Sequence, residues 1–392
     1  METPIMEEEL ARNFSMIKSY AAQGIDDPSA VARFSVTPFG LHNMTLIPGK
    51  STLYIDPYTE NRANYLVYSR SAISNTAQDF ACLLDQNVSF PSLENATLSE
   101  NTVNAADDSK LRTYRLALSC TGEYGALFAG NGTDTQKKAN IQAQMAITMT
   151  RVNGVYERDL AITMIFVANN NLLLYYNAST DPWTGEYNTK TAQTIDAAIG
   201  RANYDIGHNF NTSGGGNAGC IGCVCSTTTS ASSSTHKGRG YTGLPNPTGD
   251  AFDIDYVAHE MGHQFGGFHT QSSSSCFSGS GSTEVEPGSG STIMGYAGIC
   301  APNVQFGSDA YFHYVNIRDI TANVKSGVSS SCPTIIPFSN NAPVITPIKD
   351  YIIPMSTPFV LTGSATDADG DILNYTWEQN DPESSNLANT AT

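Results

Sequence analysis

A chain of 392 residues is too long for one compact domain and suits two or three. With 40% hydrophobic and 9% aromatic residues it can bury a sizeable core, which excludes global disorder. Twenty Lys and Arg against 37 Asp and Glu leave a net charge of −17, which argues against nucleic acid or an anionic membrane surface as the main partner.

No apolar run reaches the roughly 18 residues of a transmembrane helix; the stretch over 160–167 is soon cut by Asn169, Asn170 and Asn171. Charged residues make up only 15%, Ser, Thr, Asn and Gly are abundant, and there are eight cysteines. That usage fits an exported protein folded in an oxidising compartment, with a cytosolic chain of scattered thiols as the alternative. The acidic start, Met1-Glu2-Thr3-Pro4, is no signal peptide, and Thr392 falls inside a patterned tail. The chain is expected to be a piece trimmed at both ends.

In chain order, alternating runs over 52–55 and 65–69 read as antiparallel strands separated by Pro48-Gly49, Asp56-Pro57 and Glu60-Asn61 turns. A polar stretch over 92–110 reads as a linker. Next come a strand over 114–119, a helix over 136–152 and a buried strand over 161–167. A further strand over 172–176 and a helix over 191–204 complete an α/β alternation. The glycine-rich piece from Gly214 to Cys225 and the Ser/Thr tract over 226–235 read as surface loops bordering a site. After Cys332 a second linker leads to sandwich-like strands over 358–361 and 372–377. That tail holds about half the residues of an immunoglobulin-type sandwich. The expected domains are therefore 1–108, 109–333 and 340–392, the first β-rich and the last a partial β-sandwich.

Three of the seven histidines fall in one short run, His259-Glu260-Met261-Gly262-His263-Gln264-Phe265-Gly266-Gly267-Phe268-His269. A helix capped by Asp253 puts His259 and His263 on one face, where both imidazoles reach a single ion. Gly266 lets the helix stop in a conformation other residues resist, and the chain then turns to bring His269 to the same point. Three neutral imidazoles leave the fourth position of a tetrahedral zinc open for water, and Glu260 is placed to take that water's proton. An ordinary amphipathic helix with surface histidines is the bland alternative. This pattern arises by chance on the order of 10⁻⁵ times in a chain of this composition, which decides against it.

Twenty-five residues beyond His269 lies Met294, in Ser291-Thr292-Ile293-Met294-Gly295-Tyr296. With the histidine motif this resembles the Met-turn of the metzincins. From about residue 111 to 332 the chain resembles secreted bacterial reprolysin-like metalloproteases. The resemblance implies an α/β (α+β) catalytic domain with a central active-site helix, zinc as cofactor, and protein or peptide substrates. It also implies that substrate pairs with an edge strand over 204–210, and that Met294 lies beneath the metal without ligating it. Thr270 stands where adamalysins usually place Asp, and Thr292 where they usually have Cys. Tyr296 matches a position where related families carry a tyrosine near the metal. It is either a hydrogen-bond donor to the oxyanion or a packed tyrosine in the wall below the zinc.

The resemblance makes residues 1–108 a propeptide, and the protein a secreted zymogen expected to be a monomer. Cys82 is then the candidate latency switch, ligating the zinc, with a structural disulfide as the alternative. Cys276 with Cys300 is the expected bridge, and Cys220, Cys223 and Cys225 are expected disulfide partners. In the tail, Asp367, Asp369 and Asp371 either hold calcium or form a plain acidic turn. Glu378 falls at the twelfth position of a calcium loop, but Ile372 stands at the sixth, where Gly is required. A non-catalytic adhesion or binding module on a metalloprotease scaffold is the opposing function.

Overall fold

The computed structural model describes residues 1–73, 81–84, 108–273, 276 and 283–382. The N-terminal region opens with a short helix, α1 (Glu8–Asn13), followed by an antiparallel meander. Its strands are β1 (Lys18–Gln23), β2 (Val31–Thr37), β3 (Gly40–Leu46), β4 (Leu53–Pro57) and β5 (Tyr65–Ser69). The alternation over 52–55 and 65–69 thus marks the last two strands. Asp56-Pro57 continues β4 instead of turning, because Asp56 pairs with Leu66 across β5.

The second sheet belongs to the following 220 or so residues. It holds β6 (Lys110–Cys120), β7 (Ile162–Phe166), β8 (Ile206–Asn211), β9 (Gly215–Asn217), β10 (Gly240–Gly243) and β11 (Thr334–Pro337). Strands β6, β7, β8 and β10 run parallel, while β9 is antiparallel to β10 and forms the edge. The strand expected at the edge, over 204–210, is therefore internal, flanked by β6 and β10. The glycine-rich stretch taken for a loop supplies the outermost strand, β9, and β10 follows the Ser/Thr tract. The run over 172–176 is not a strand either. A 3-10 turn, Asn170–Leu173, ends in a single bridge from Leu174 to Cys120.

Helix α2 (Gly122–Ala129) leads into α3 (Asp134–Leu160), which opens with a capping box between Thr133 and Gln136. Helix α3 is buried between the two sheets. Asn153 exchanges hydrogen bonds with the Met164 backbone of β7. On the other side a Cβ at Gly154 would sit 2.8 Å from Arg33 and Met44 of the meander. Only a residue without a side chain permits that approach. Helix α4 (Asn188–Ile199) covers β8.

The N-terminal region grips both edges of the second sheet. Residues 5–7 pair with Phe166 of β7, and residues 81–83 pair with Gly216 of β9. Its Arg70 also reaches the segment that carries the histidines, and its Asp56 is linked to that segment through Arg151 of α3. That segment begins π-helical, Ala251–Ala258, and continues without a break as α5 (His259–Phe265). Asp253 does not cap it. It lies inside the π-helical turn, fully buried, and pairs with Arg151 of α3 at 3.0 Å. Arg151 also binds Asp56 of β4 at 2.5 Å. Arg70, just after β5, pairs with Asp250 and with Asp255. Removing one partner of such a buried pair costs about 3–5 kcal/mol, because the other charge stays buried.

Helix α6 (Tyr314–Ser326) follows the Met-containing loop. Past β11 (Thr334–Pro337), which pairs with β6, the described part of the tail is open, and its β12 (Val344–Ile345) pairs with β13 (Ala365–Thr366). The segments read as sandwich strands, 358–361 and 372–377, are not strands here. Val360 is 90% exposed and Trp377 56%, so among the described residues these apolar side chains lie largely open to solvent. The expected linker over 92–110 lies outside the described residues as far as 107.

Candidate metal centre

Helix α5 presents His259 and His263 on one face. At its end Gly266 adopts φ +117°, and its N–H bonds back to Gly262 and His263 carbonyls. A side chain would be strained in that conformation, so glycine is what lets the chain reverse toward His269. The three rings meet. Their Nε2 atoms lie 3.1 Å (His259 to His269), 3.2 Å (His263 to His259) and 3.0 Å (His263 to His269) apart.

The orientation of two rings is fixed from behind. His259 Nδ1 donates to the Ile293 carbonyl and His263 Nδ1 to the Gly267 carbonyl, each at 2.7 Å. In a neutral ring that leaves Nε2 with the lone pair, so the rings point acceptors at one another. Burial keeps all three rings neutral, His259 pushed down to about 4 and the others well below the usual range. Converging neutral imidazole nitrogens are the donor set zinc takes.

A fourth group joins them. Cys82 Sγ is 3.7 Å from His263 Nε2, and the four ligand atoms all fall within 4.8 Å of one another. Cys82 is delivered by backbone pairing. Leu83 N donates to the Gly216 carbonyl at 2.8 Å, and Gly216 N donates to the Ala81 carbonyl at 3.0 Å. Burial, and then the nearby Glu260 carboxylate, push the Cys82 thiol far up. The thiol is not in a disulfide. The bridges formed are Cys220–Cys223, Cys225–Cys332 and Cys276–Cys300, with Cys82 and Cys120 left free and buried. The expected Cys276–Cys300 pair is therefore present, and the disulfide alternative for Cys82 is not.

Glu260 is fully buried, and neither carboxylate oxygen completes a well-formed hydrogen bond among the described residues. Burial pushes its carboxyl up to about 8, while the Cys82 thiol and the Ala218 backbone close by pull it part of the way back. The edge strand passes directly over it, since a Cβ on Gly216 would lie 2.4 Å from Glu260 Oε1. Tyr296 packs on His259 (ring centroids 5.7 Å) and His269 (4.5 Å), with its hydroxyl buried and also lacking a completed hydrogen bond. Met294 is fully buried below the helix. Its sulfur occupies the space a Cβ on Gly262 would need, 2.6 Å away.

The fold and the histidine cluster have a counterpart among known families. A family model described as metallo-peptidase family M12B, reprolysin-like, matches residues 110–330. The chain belongs to that reprolysin-like family. No curated protein sequence matches it. As reprolysin-like metallopeptidases act on peptide bonds, the substrates implied are proteins or peptides. No described helix is long and apolar enough to cross a membrane.

The tail carboxylates give no support to calcium. Asp367, Asp369 and Asp371 are near one another, but Asp367 Oδ1 accepts from the Asp369 and Asp371 backbones at 2.9 and 3.1 Å. Asp369 holds Asn341 instead. Glu378, which a calcium loop would need, bonds to the Tyr314 backbone at 2.7 Å. This is a hydrogen-bonded acidic turn. Sequence reasoning missed two contributors to the site region, the Arg70 ion pairs and the buried Glu286. Neither has a local signal, because their partners lie far away in sequence or across an irregular loop.

Proposed function

We propose that the chain is a secreted zinc endopeptidase held latent by its own N-terminal region. The observation that carries this is the meeting of three imidazole nitrogens beside a buried, unpaired Glu260 and beneath the edge strand. His259, His263 and His269 hold the metal through Nε2. When bound, zinc supplies Lewis acidity, acidifying a water and polarising the peptide carbonyl. Glu260 accepts the proton of the attacking water and returns it to the leaving amine. A substrate strand takes over the Gly216 N–H and carbonyl that Ala81 and Leu83 now use, which brings its backbone beside Glu260. The buried Tyr296 hydroxyl, beside Cys82 in the intact chain, donates to the developing oxyanion once Cys82 has left. Met294 is a packed floor beneath the helix and ligates nothing.

Latency has two supports. Cys82 completes the ligand set as thiolate, and residues 81–83 cover the strand edge that substrate needs. Three disulfides agree with folding in an oxidising compartment, which favours export. The protein is expected to act as a monomer.

Metal analysis tests the ligand assignment. The full chain is expected to carry one zinc, and His263→Ala to lose it, because one of the three converging nitrogens is gone and its place is left empty. His263→Ala retaining zinc at the parent level would show that the metal sits elsewhere.

A further inference from the structure

Glu286 is 6% exposed and lies in the irregular loop between His269 and Met294. Its carboxylate is surrounded by donors from two separate stretches of chain. On Oε2, the Thr270 hydroxyl donates at 2.5 Å and the Thr292 hydroxyl at 2.6 Å. On Oε1, Ser291 N donates at 2.9 Å, the Ser291 hydroxyl at 3.2 Å and Thr292 N at 3.1 Å. Its own backbone N–H donates to the Thr270 carbonyl at 2.8 Å. A carboxylate satisfied this fully by neutral donors is a rigid junction, since charge-assisted hydrogen bonds are roughly twice as strong as neutral ones.

What it joins is the point. Thr270 is the residue after His269, and Thr292 is the residue before Ile293, whose carbonyl orients His259. Thr270 N also donates to the Met294 carbonyl at 3.2 Å. His263 does not depend on this junction, because the Gly267 carbonyl at the end of its own helix orients it. Thr270 and Thr292 are also the two positions where the chain departs from the adamalysin pattern, and both hydroxyls meet on this one carboxylate.

We infer that Glu286 is a positioning residue for the metal centre, locking the His269 segment to the Met-turn so that His269 and His259 meet the ion at fixed geometry. The inference rests on the zinc reading above. Partners that orient metal ligands typically contribute 10–100-fold in metal affinity when removed.

The experiment measures zinc affinity of the full chain by competition with a chromophoric chelator, and the visible spectrum of the cobalt-loaded protein. Variants are Glu286→Gln, Glu286→Ala and, as a control away from the site, Asp205→Asn. Asp205 is buried and paired with Arg115 at 2.7 Å, so its loss tests general destabilisation. Glu286→Gln keeps one carbonyl oxygen for the Ser291 and Thr292 N–H groups. It is expected to fold, to bind zinc about 10-fold more weakly and to show an altered cobalt spectrum, with Glu286→Ala weaker still. Asp205→Asn is expected to melt earlier with zinc affinity unchanged. If Glu286→Gln matched the parent in zinc affinity and cobalt spectrum, or weakened zinc only as much as Asp205→Asn, the positioning role would be wrong. A parent chain that takes up no zinc would overturn the proposed function itself, and this inference with it.

Discussion

Glu260→Ala is expected to keep zinc bound and to lower peptide turnover by about 10²–10⁴-fold, the contribution a positioned general base makes. The three Nε2 atoms are placed by α5, by the turn at Gly266 and by carbonyls of Ile293 and Gly267. None of these supports involves the Glu260 side chain, so truncating it leaves the ligands where they are. It also removes a carboxylate whose burial is only partly offset, by the Ala218 backbone and the Cys82 thiol, so folding stability should not fall. The comparison is made on chain cleaved near Ser109, measuring metal content and turnover of one peptide. If Glu260→Ala emerged empty of zinc, the division between base and ligands would be wrong.

The second large effect is latency. Intact chain is expected to be nearly inactive, and cleavage near Ser109 to release activity. Arg112 and Asp108 are paired beside that point, and Ser109, half-buried, has φ +53°, next to the exposed Lys110 that a protease can reach. Cys82→Ala in uncut chain is expected to raise activity on the order of 10- to 100-fold, the scale on which loss of a metal-site partner acts. It should not reach the cut level, because Ala81 and Leu83 still hold Gly216. Adding Arg70→Ala removes the pairing to Asp250 and Asp255 and should release the rest. Equal activity of cut and uncut chain would remove the zymogen reading. Unchanged latency in Cys82→Ala would assign it wholly to cover of the strand edge.

The histidine cluster was legible because its geometry is local. Helical spacing and one glycine at positive φ bring His259, His263 and His269 together, and no distant contact is needed. The α/β order was legible for β6, α3 and β7, where apolar periodicity is strong. The outer strands were not. Gly215–Asn217 and Gly240–Gly243 carry few apolar side chains and depend on backbone pairing alone, so 204–210 was placed at an edge that lies two strands further out. Asp253 looked like a cap because an acidic residue precedes the apolar run. It is buried instead, because Arg151 reaches it from α3. The proximity of Cys82 to the histidines follows from strand pairing across more than a hundred residues, which spacing cannot encode.

On the function proposed above, the chain is a peptide-bond hydrolase that runs on the metal held by His259, His263 and His269. The most direct measurement is casein cleavage by chain cut near Ser109, with and without a chelator, followed by zinc added back. Cleavage that the chelator abolishes and zinc restores is expected. Cleavage indifferent to the chelator, or no cleavage at any pH by cut chain that retains its zinc, would contradict it.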